Sequence, residues 1–204
     1  SAKPSAPISS EGWKIDATHG PSSALSFSTD EGTWLALDVD PAGKQIVFSL
    51  LGDLYTLPIE GGTATRITSG PGYDVQPRFS PDGQSIAFAS DRDGLENLWI
   101  CDRSGANCRQ ISKEKKRTVS SPAWSPDGQY LIGRKRLTDV SSLGTVELWM
   151  WHRKGGEGVA LTKKAEQPDA ADPQFSKDGR FVYFSGRDAR YRYDRDPNEG
   201  IWQI

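Results

Sequence analysis

A four-residue turn recurs four times along the chain, and no other feature of the sequence restricts the fold as strongly. Its final glycines, Gly43, Gly83, Gly128 and Gly179, stand at intervals of 40, 45 and 51 residues. Proline presets the first central position of such a turn, and glycine takes the left-handed position that closes a hairpin with a bulge. Each copy therefore predicts a tight turn between two antiparallel strands. The copies are Asp40-Pro41-Ala42-Gly43, Ser80-Pro81-Asp82-Gly83, Ser125-Pro126-Asp127-Gly128 and Ser176-Lys177-Asp178-Gly179.

The segments around the turns repeat as well. An apolar run follows each turn, then a polar loop, then a run that holds an aromatic residue. In the first three copies a glycine-containing turn and a short strand complete the unit. Four strands in 40 to 50 residues make one blade of a β-propeller. The sequence thus predicts an all-β propeller of four-stranded antiparallel blades at residues 33–68, 73–112, 119–162 and 170–204, with the innermost strand of the first blade at 34–38.

The ends of the chain leave the closure of the ring open. The fourth repeat lacks an outer strand, and the alternating segment 24–29 is expected to serve as the closing strand. Residues 1–23 are expected to form a flexible leader. Two outcomes remain: a small four-bladed ring that closes alone, or part of a larger ring that a C-terminal region or self-association completes.

Charge and hydropathy argue against two classes of partner. The formal net charge is -2, from 25 basic and 27 acidic residues, whereas nucleic-acid binders usually carry a basic face. No apolar run approaches the roughly 20 residues that span a bilayer. The leader is rich in Ala, Ser and Pro, as is typical after a removed signal peptide. We therefore expect no nucleic acid, no membrane span, and an exported protein.

Cys101 and Cys108 flank a short loop between two strand-like runs. A hairpin would bring them face to face, so a disulfide is feasible, and such a bond persists in an oxidising compartment. The alternative is two free thiols in a cytosolic protein.

The residue types that carry catalysis are scarce. Metal-dependent hydrolysis needs clustered ligands, but the only histidines are His19 and His152. No Gly-x-Ser-x-Gly nucleophile motif and no phosphate-binding glycine loop occurs. The aspartates in 91–94 and 194–198 are the best calcium candidates, but in the second segment Gly200 falls one place too late for an EF-hand loop and no closing Glu follows, so we interpret both as solvated turns. We expect no catalytic residue, metal site or cofactor within this chain.

One phrase of the second repeat resembles a known family. It runs Pro77-Arg78-Phe79-Ser80-Pro81-Asp82-Gly83, then Ile86-Ala87-Phe88, Ser90-Asp91-Arg92-Asp93-Gly94 and Asn97-Leu98-Trp99-Ile100. It resembles the WD-like blade of TolB-type periplasmic propellers of bacteria, and the resemblance covers about residues 13–204. It implies a periplasmic or secreted bacterial protein. Segments 13–22, 29–34 and 52–58 are similar to the N-terminal propeller of exported TolB-like amidohydrolases. The resemblance thus implies that the chain either is a propeller module or precedes a metal-dependent amidohydrolase domain.

Blade geometry predicts where a ligand would bind. Loops between the second and third strands of each blade share one face with the connections between blades, and we expect this loop face to bind a protein, a peptide or a saccharide. The longest such loop is rich in Arg and Tyr, which are typical of binding hot spots. Other polar residues lead into the innermost strands at the channel mouth. The candidate binding residues are Asp74, Gln76, Asp169, Asp172, Arg187, Arg190, Tyr191, Arg192 and Tyr193. Trp99, Trp149 and Trp202 recur at one blade position and are expected to pack between blades.

Overall fold

The computed structural model describes residues 20–21, 23, 25–136, 146–162, 170–187 and 199–204, and every regular element in these ranges is a β-strand. The first sheet contains β1 (Leu37–Val39), β2 (Gln45–Leu50), β3 (Asp53–Pro58) and β4 (Thr65–Arg66). The second contains β5 (Asp74–Phe79), β6 (Ser85–Ser90), β7 (Asn97–Asp102) and β8 (Arg109–Gln110). The third contains β9 (Val119–Trp124), β10 (Tyr130–Arg136), β11 (Val146–His152) and β12 (Val159–Ala160). The fourth contains β13 (Ala171–Phe175), β14 (Val182–Arg187) and β15 (Glu199–Gln203).

Each sheet is an antiparallel meander, so neighbours in sequence are neighbours in the sheet. Three sheets have four strands, and the fourth has three in the described part of the chain. The predicted all-β class with four-stranded antiparallel blades is confirmed. Residues 25–29 form no strand in the structure, and the closing role expected for 24–29 stays a prediction. The leader lies almost wholly outside the described residues.

The innermost strand of the first blade begins later than the sequence indicated. We expected it at 34–38, but β1 starts at Leu37. Trp34 has a φ of 60° and is 97% exposed. Because a left-handed residue breaks an extended strand, Trp34 ends the preceding loop and does not open the blade.

The repeated turns owe their shape to one hydrogen-bond pattern. In the second blade, the Gly83 N–H donates to the Ser80 carbonyl at 2.8 Å, and the Ser85 N–H donates to Ser80 Oγ at 2.9 Å. Ser80 Oγ in turn donates to Asp82 Oδ1 at 2.5 Å. Gly83 has a φ of 66°, the left-handed conformation that glycine adopts without strain. The same bonds recur at Ser125 and Asp127 and at Ser176 and Asp178.

The aspartates of these turns are expected to make the free energy of unfolding depend on pH in the acid range. The hydroxyl of Ser80 lowers the pKa of Asp82 below its usual value, and serines lower the pKa of Asp127 and Asp178 in the same way. A carboxylate with a lowered folded-state pKa stabilises the fold above the unfolded pKa, and this stability is lost as pH falls through the folded pKa. We expect Asp82→Asn to destabilise the chain at pH 7 and by less at about pH 3, as measured by urea unfolding. An equal loss at both pH values would contradict this role.

The hydrophobic core lies between blades, in three separate clusters. The first joins blades one and two around Val47, Leu54 and Phe88. The second joins blades two and three around Leu98 and Trp151, and a third around Leu148 and Phe184 joins blades three and four. Trp99 and Trp149 pack against the first and second clusters, whereas Trp202 is 44% exposed on the last blade. Face-to-face stacking of blades therefore gives the array its stability.

In blades two and three, an arginine of the outer hairpin forms hydrogen bonds to the preceding blade. Arg103 donates to the Gly83 carbonyl of its own blade and to Asp40 Oδ2 of the first blade, both at 3.0 Å. Its guanidinium lies 5.1 Å from the centre of the Phe79 ring. Burial raises the pKa of Asp40, but hydrogen bonds from two backbone N–H groups and from Arg103 bring the pKa below its usual value. Arg153 repeats this arrangement between blades three and two.

Cys101 and Cys108 are joined by a disulfide in the structure. Cys101 lies in β7 and is buried in the cluster between blades one and two, while Cys108 directly precedes β8. The bond closes the outer hairpin of the second blade at residues 103–107. It therefore fixes the segment that carries Arg103 toward the first blade.

Candidate binding face

The loop face is the end of the array where the innermost strands begin. It contains the loops between second and third strands at 51–52 and 91–96, and the connections between blades at 67–73 and 111–118. The opposite end carries the repeated turns at 80–84, 125–129 and 176–180 and the outer hairpins, and we call it the turn face. Functional loops of propellers occupy positions that a rigid sheet scaffold holds in place.

Asp74 lies beneath the loop face and not on its surface. It is 1% exposed, and its Oδ2 accepts a hydrogen bond of 2.5 Å from Arg92. The Arg92 guanidinium lies 5.3 Å from the Phe88 ring and 5.2 Å from the Trp99 ring. A buried carboxylate needs such a partner, because desolvation of an unpaired charge is costly. Asp74 is therefore a buried, paired carboxylate and not an open binding residue.

No sequence motif singles out Asp53, which lies close to Asp74. Burial raises the pKa of Asp53, the charge of Asp74 raises it further, and Arg66 opposes both effects. Arg66 Nη1 lies 3.4 Å from Asp53 Oδ2 and is largely exposed. The two carboxylates and their arginines thus form a nearly neutral network between blades one and two.

Gln76 marks a bulge that recurs in three successive innermost strands. Gln76, Ser121 and Asp172 have φ values of 54°, 54° and 51°, and each precedes a proline. The strand pairing skips these residues in β5, β9 and β13. Proline cannot donate to the ladder, so a bulge accommodates it. Non-glycine residues in this conformation are strained, and such strain is concentrated at functional sites.

The first two bulges are connected to each other. Gln76 Oε1 accepts a hydrogen bond of 2.7 Å from the Ser121 N–H, which the bulge removes from the ladder. Gln76 is half-buried, so its side chain serves the contact between blades. Asp172 differs, because it is exposed and its Oδ2 accepts a 3.3 Å hydrogen bond from Ser185. Of the predicted binding residues whose side chains the structure describes, Asp172 is the one at the surface.

Most of the predicted Arg- and Tyr-rich loop lies outside the residues that the structure describes. Arg187 ends β14, and its side chain is not described. Asp169, Arg190, Tyr191, Arg192 and Tyr193 lie outside the described residues. Their role in binding stays a prediction.

A cavity that the sequence did not suggest opens on the loop face between blades two and three. Its volume is about 130 Å³, and it is lined by Glu96, Thr118, Ser120, Arg134, Arg136 and Val146. Burial raises the pKa of Glu96, and the charges of Arg136 and Arg134 partly offset this effect. The signal in the sequence was the spacing of Arg134 and Arg136, since alternate residues of a strand point to one side.

Within the described ranges, no helix has the length and apolarity that crossing a bilayer requires. The same part of the chain brings together no three His, Cys, Asp or Glu side chains in a group suited to a metal ion.

Comparison with known proteins places the chain among propellers. Residues 33–146 match the family described as the Tricorn protease N-terminal beta propeller domain. The uncharacterized peptidase YuxL of Bacillus subtilis is 27% identical over an alignment of 167 residues, and the match covers 67% of this chain and 25% of that protein. The Tol-Pal system protein TolB of Wolinella succinogenes is 27% identical over an alignment of 163 residues, and the match covers 78% of this chain and 38% of that protein. The chain thus spans less than half the length of these relatives.

A solved structure agrees on the fold. TolB from Acinetobacter baumannii superposes with a TM-score of 0.64 at 22% identity, covering 79% of this chain and 40% of that chain. The TolB-like resemblance inferred from the sequence is confirmed. The sequence resemblance pointed to amidohydrolases, whereas YuxL is named a peptidase. The family match covers more than half of the residues, so this chain belongs to the family of the Tricorn protease N-terminal beta propeller domain.

Proposed function

We propose that this chain is a non-catalytic propeller segment of an exported bacterial protein and that it binds an extended polypeptide at its loop face. The observation that carries the proposal is the strained backbone bulge that recurs near the loop-face end of three innermost strands, at Gln76, Ser121 and Asp172. Gln76 and Ser121 are bonded to each other, so in these two blades the support comes from the backbone conformation and not from a free side chain, whereas Asp172 is exposed. A backbone conformation that costs free energy in three consecutive blades is typical of a surface that serves binding. Beside these bulges, the cavity with Arg134 and Arg136 provides hydrogen-bond donors.

Three further observations support parts of this proposal. Similarity to a protein named a peptidase favours a polypeptide over a saccharide as the ligand. The disulfide between Cys101 and Cys108 is of a kind that persists in oxidising compartments, which supports export. The scarcity of histidine, with only His19 and His152, supports a non-catalytic role for this segment.

Blocking one face at a time tests the proposal. Both native cysteines are in the disulfide, so an introduced cysteine can be labelled selectively with a bulky maleimide. Asp93→Cys places the label on the loop face, and Lys154→Cys places it on the turn face; both residues are exposed. Binding of a fluorescent, reduced and carboxymethylated polypeptide is followed by anisotropy. We expect the Asp93 label to weaken binding at least about tenfold and the Lys154 label to leave it unchanged.

Other outcomes would overturn the proposal. Equal loss from both labels, or loss from the Lys154 label alone, would place binding elsewhere. Displacement of the polypeptide by neutral oligosaccharides at lower concentration than by peptides would make a saccharide the ligand. Hydrolysis of the probe by this chain would contradict the non-catalytic role.

A second candidate function is that the propeller precedes a hydrolytic domain in a longer protein and presents substrate to it. The similarity to part of a longer peptidase favours a peptidase domain over the metal-dependent amidohydrolase that the sequence resemblance implied. The same probe discriminates the two roles. If the longer protein cleaves the polypeptide and the Asp93 label slows cleavage by raising KM, the propeller presents substrate; cleavage unaffected by the label would contradict this role.

A further inference from the structure

Backbone hydrogen bonds hold the segments that line the cavity between blades two and three. Glu96 lies in the loop before β7, and its carbonyl accepts a 2.9 Å hydrogen bond from the Val119 N–H of the next blade. Arg136 lies at the end of β10, and its N–H donates to the Thr118 carbonyl at 3.0 Å. The walls therefore belong to two blades that are hydrogen-bonded to each other, which preorganises the cavity for a ligand.

The two arginines of the cavity lack the partners that other arginines have. Arg92, Arg103 and Arg153 donate to carboxylate, hydroxyl or carbonyl oxygens. Among the described residues, no acceptor or ion pair is found for the guanidinium groups of Arg134 and Arg136, and Arg134 Nε is buried without a hydrogen bond. A buried donor without an acceptor costs free energy, and an anionic ligand would remove that cost.

Lys135 lies between Arg134 and Arg136 in β10, and unlike them it has partners within the described part of the fold. Lys135 points to the opposite side of β10, where its Nζ lies 2.6 Å from Glu114 Oε1 and 3.7 Å from the centre of the Trp149 ring. Its charge is therefore neutralised within the fold. The cations that remain available on this strand are the two that face the cavity.

Charge and size favour a singly charged carboxylate as the ligand. Guanidinium groups bind carboxylates through paired hydrogen bonds. Glu96 faces the same space, and Asp91 lies near enough to raise the pKa of Glu96, so a doubly charged phosphate would be repelled more strongly than a carboxylate. The volume of about 130 Å³ admits one carboxylate on a short stem, with Val146 as an apolar wall and the hydroxyls of Thr118 and Ser120 as further donors.

We propose that this cavity receives the side-chain carboxylate of an acidic residue in a bound polypeptide. The inference rests on the function proposed above, which it deepens by naming the chemistry that the loop face selects. The ligand's main chain would lie outside the cavity, across the loop face, while the carboxylate contacts Arg134 and Arg136.

Nuclear magnetic resonance titration of the 204-residue chain tests this inference. The probes are capped pentapeptides with Glu or Gln in the centre of four glycines, and pentaglycine with a free carboxyl terminus. We expect the Glu peptide to shift the amide resonances of Thr118 and Ser120 and to bind at least about tenfold more tightly than the Gln peptide. The double variant Arg134→Met, Arg136→Met should lower its affinity to that of the Gln peptide. Arg180→Met on the turn face is the matched control and should change nothing.

Other results of the titration would overturn the proposal. Equal affinity for the Glu and Gln peptides at the loop face would overturn the carboxylate site and leave polypeptide binding in place. Tighter binding of free pentaglycine, or of inorganic phosphate, would overturn the choice of an acidic side chain. If no probe binds at up to about 10 mM, the carboxylate site is wrong, and the labelled-polypeptide measurement separately decides whether the loop face binds at all. Unchanged resonances outside the cavity establish that the variants are folded.

Discussion

Replacing Gly105 by alanine is expected to lower the free energy of unfolding by at least about 4 kcal/mol and the melting temperature by about 10 °C or more. Gly105 belongs to the outer hairpin of the second blade and has a φ of 83°. An added Cβ would overlap the carbonyl oxygen of Ile67 in the first blade and lie 2.7 Å from its carbonyl carbon. Backbone atoms cannot move aside as a flexible side chain can, so the two blades would have to separate.

Two glycines at the same position of other blades serve as controls. Gly155 has a φ of 94°, but an added Cβ would lie 3.7 Å from the Ile111 carbonyl oxygen, which is ordinary contact. Gly61 has a φ of 91° and nothing within 4 Å. Alanine at either position should cost only the left-handed strain of about 1–2 kcal/mol. Thermal unfolding of the three variants separates backbone strain from the contact between blades, and equal losses would contradict the close approach at Gly105.

Replacing Trp151 by alanine is expected to cost about 3–5 kcal/mol. Trp151 is 1% exposed and packs with Leu98 and Ile111 in the cluster between blades two and three. Removal of the indole leaves a cavity that rigid sheets cannot close. The loss of van der Waals contacts and the loss of buried apolar surface both lower the free energy of unfolding. Urea unfolding followed by far-ultraviolet circular dichroism measures the loss without depending on tryptophan fluorescence.

Trp202→Ala is the matched control for this experiment. Trp202 is 44% exposed on the fourth blade, so the same chemical change should cost only about 1–2 kcal/mol. A loss at Trp202 as large as that at Trp151 would show that stability does not come from the interfaces between the described blades.

The fold could be predicted because the signals for it are local. Each turn depends on four consecutive residues, such as Ser80 to Gly83, and hydrogen bonds among neighbours fix its shape. Four such turns determine the number and direction of the strands between them. The start of β1 was misplaced because Trp34 looks like a strand residue by type, although its conformation is left-handed.

The candidate site was harder to predict, because its contacts cross between elements. Asp74 looked available as a free carboxylate, yet it is 1% exposed and pairs with Arg92, 18 residues further along the chain. Gln76 looked like a ligand-binding amide, yet it bonds the backbone of the next blade. The cavity at Arg134 and Arg136 was missed because its depth and its unpaired guanidinium groups arise only when blades two and three stack.

Amide hydrogen exchange with mass spectrometry tests the central claim, that the loop face binds polypeptide, most directly. The chain is exchanged with and without an excess of reduced, carboxymethylated polypeptide, and peptides from both faces are compared. The loop-face segments 91–96 and 118–121 should gain protection, while the turn-face segments 81–84 and 126–129 should exchange unchanged. Protection confined to the turn-face segments, or none at a concentration that saturates anisotropy, would contradict the claim.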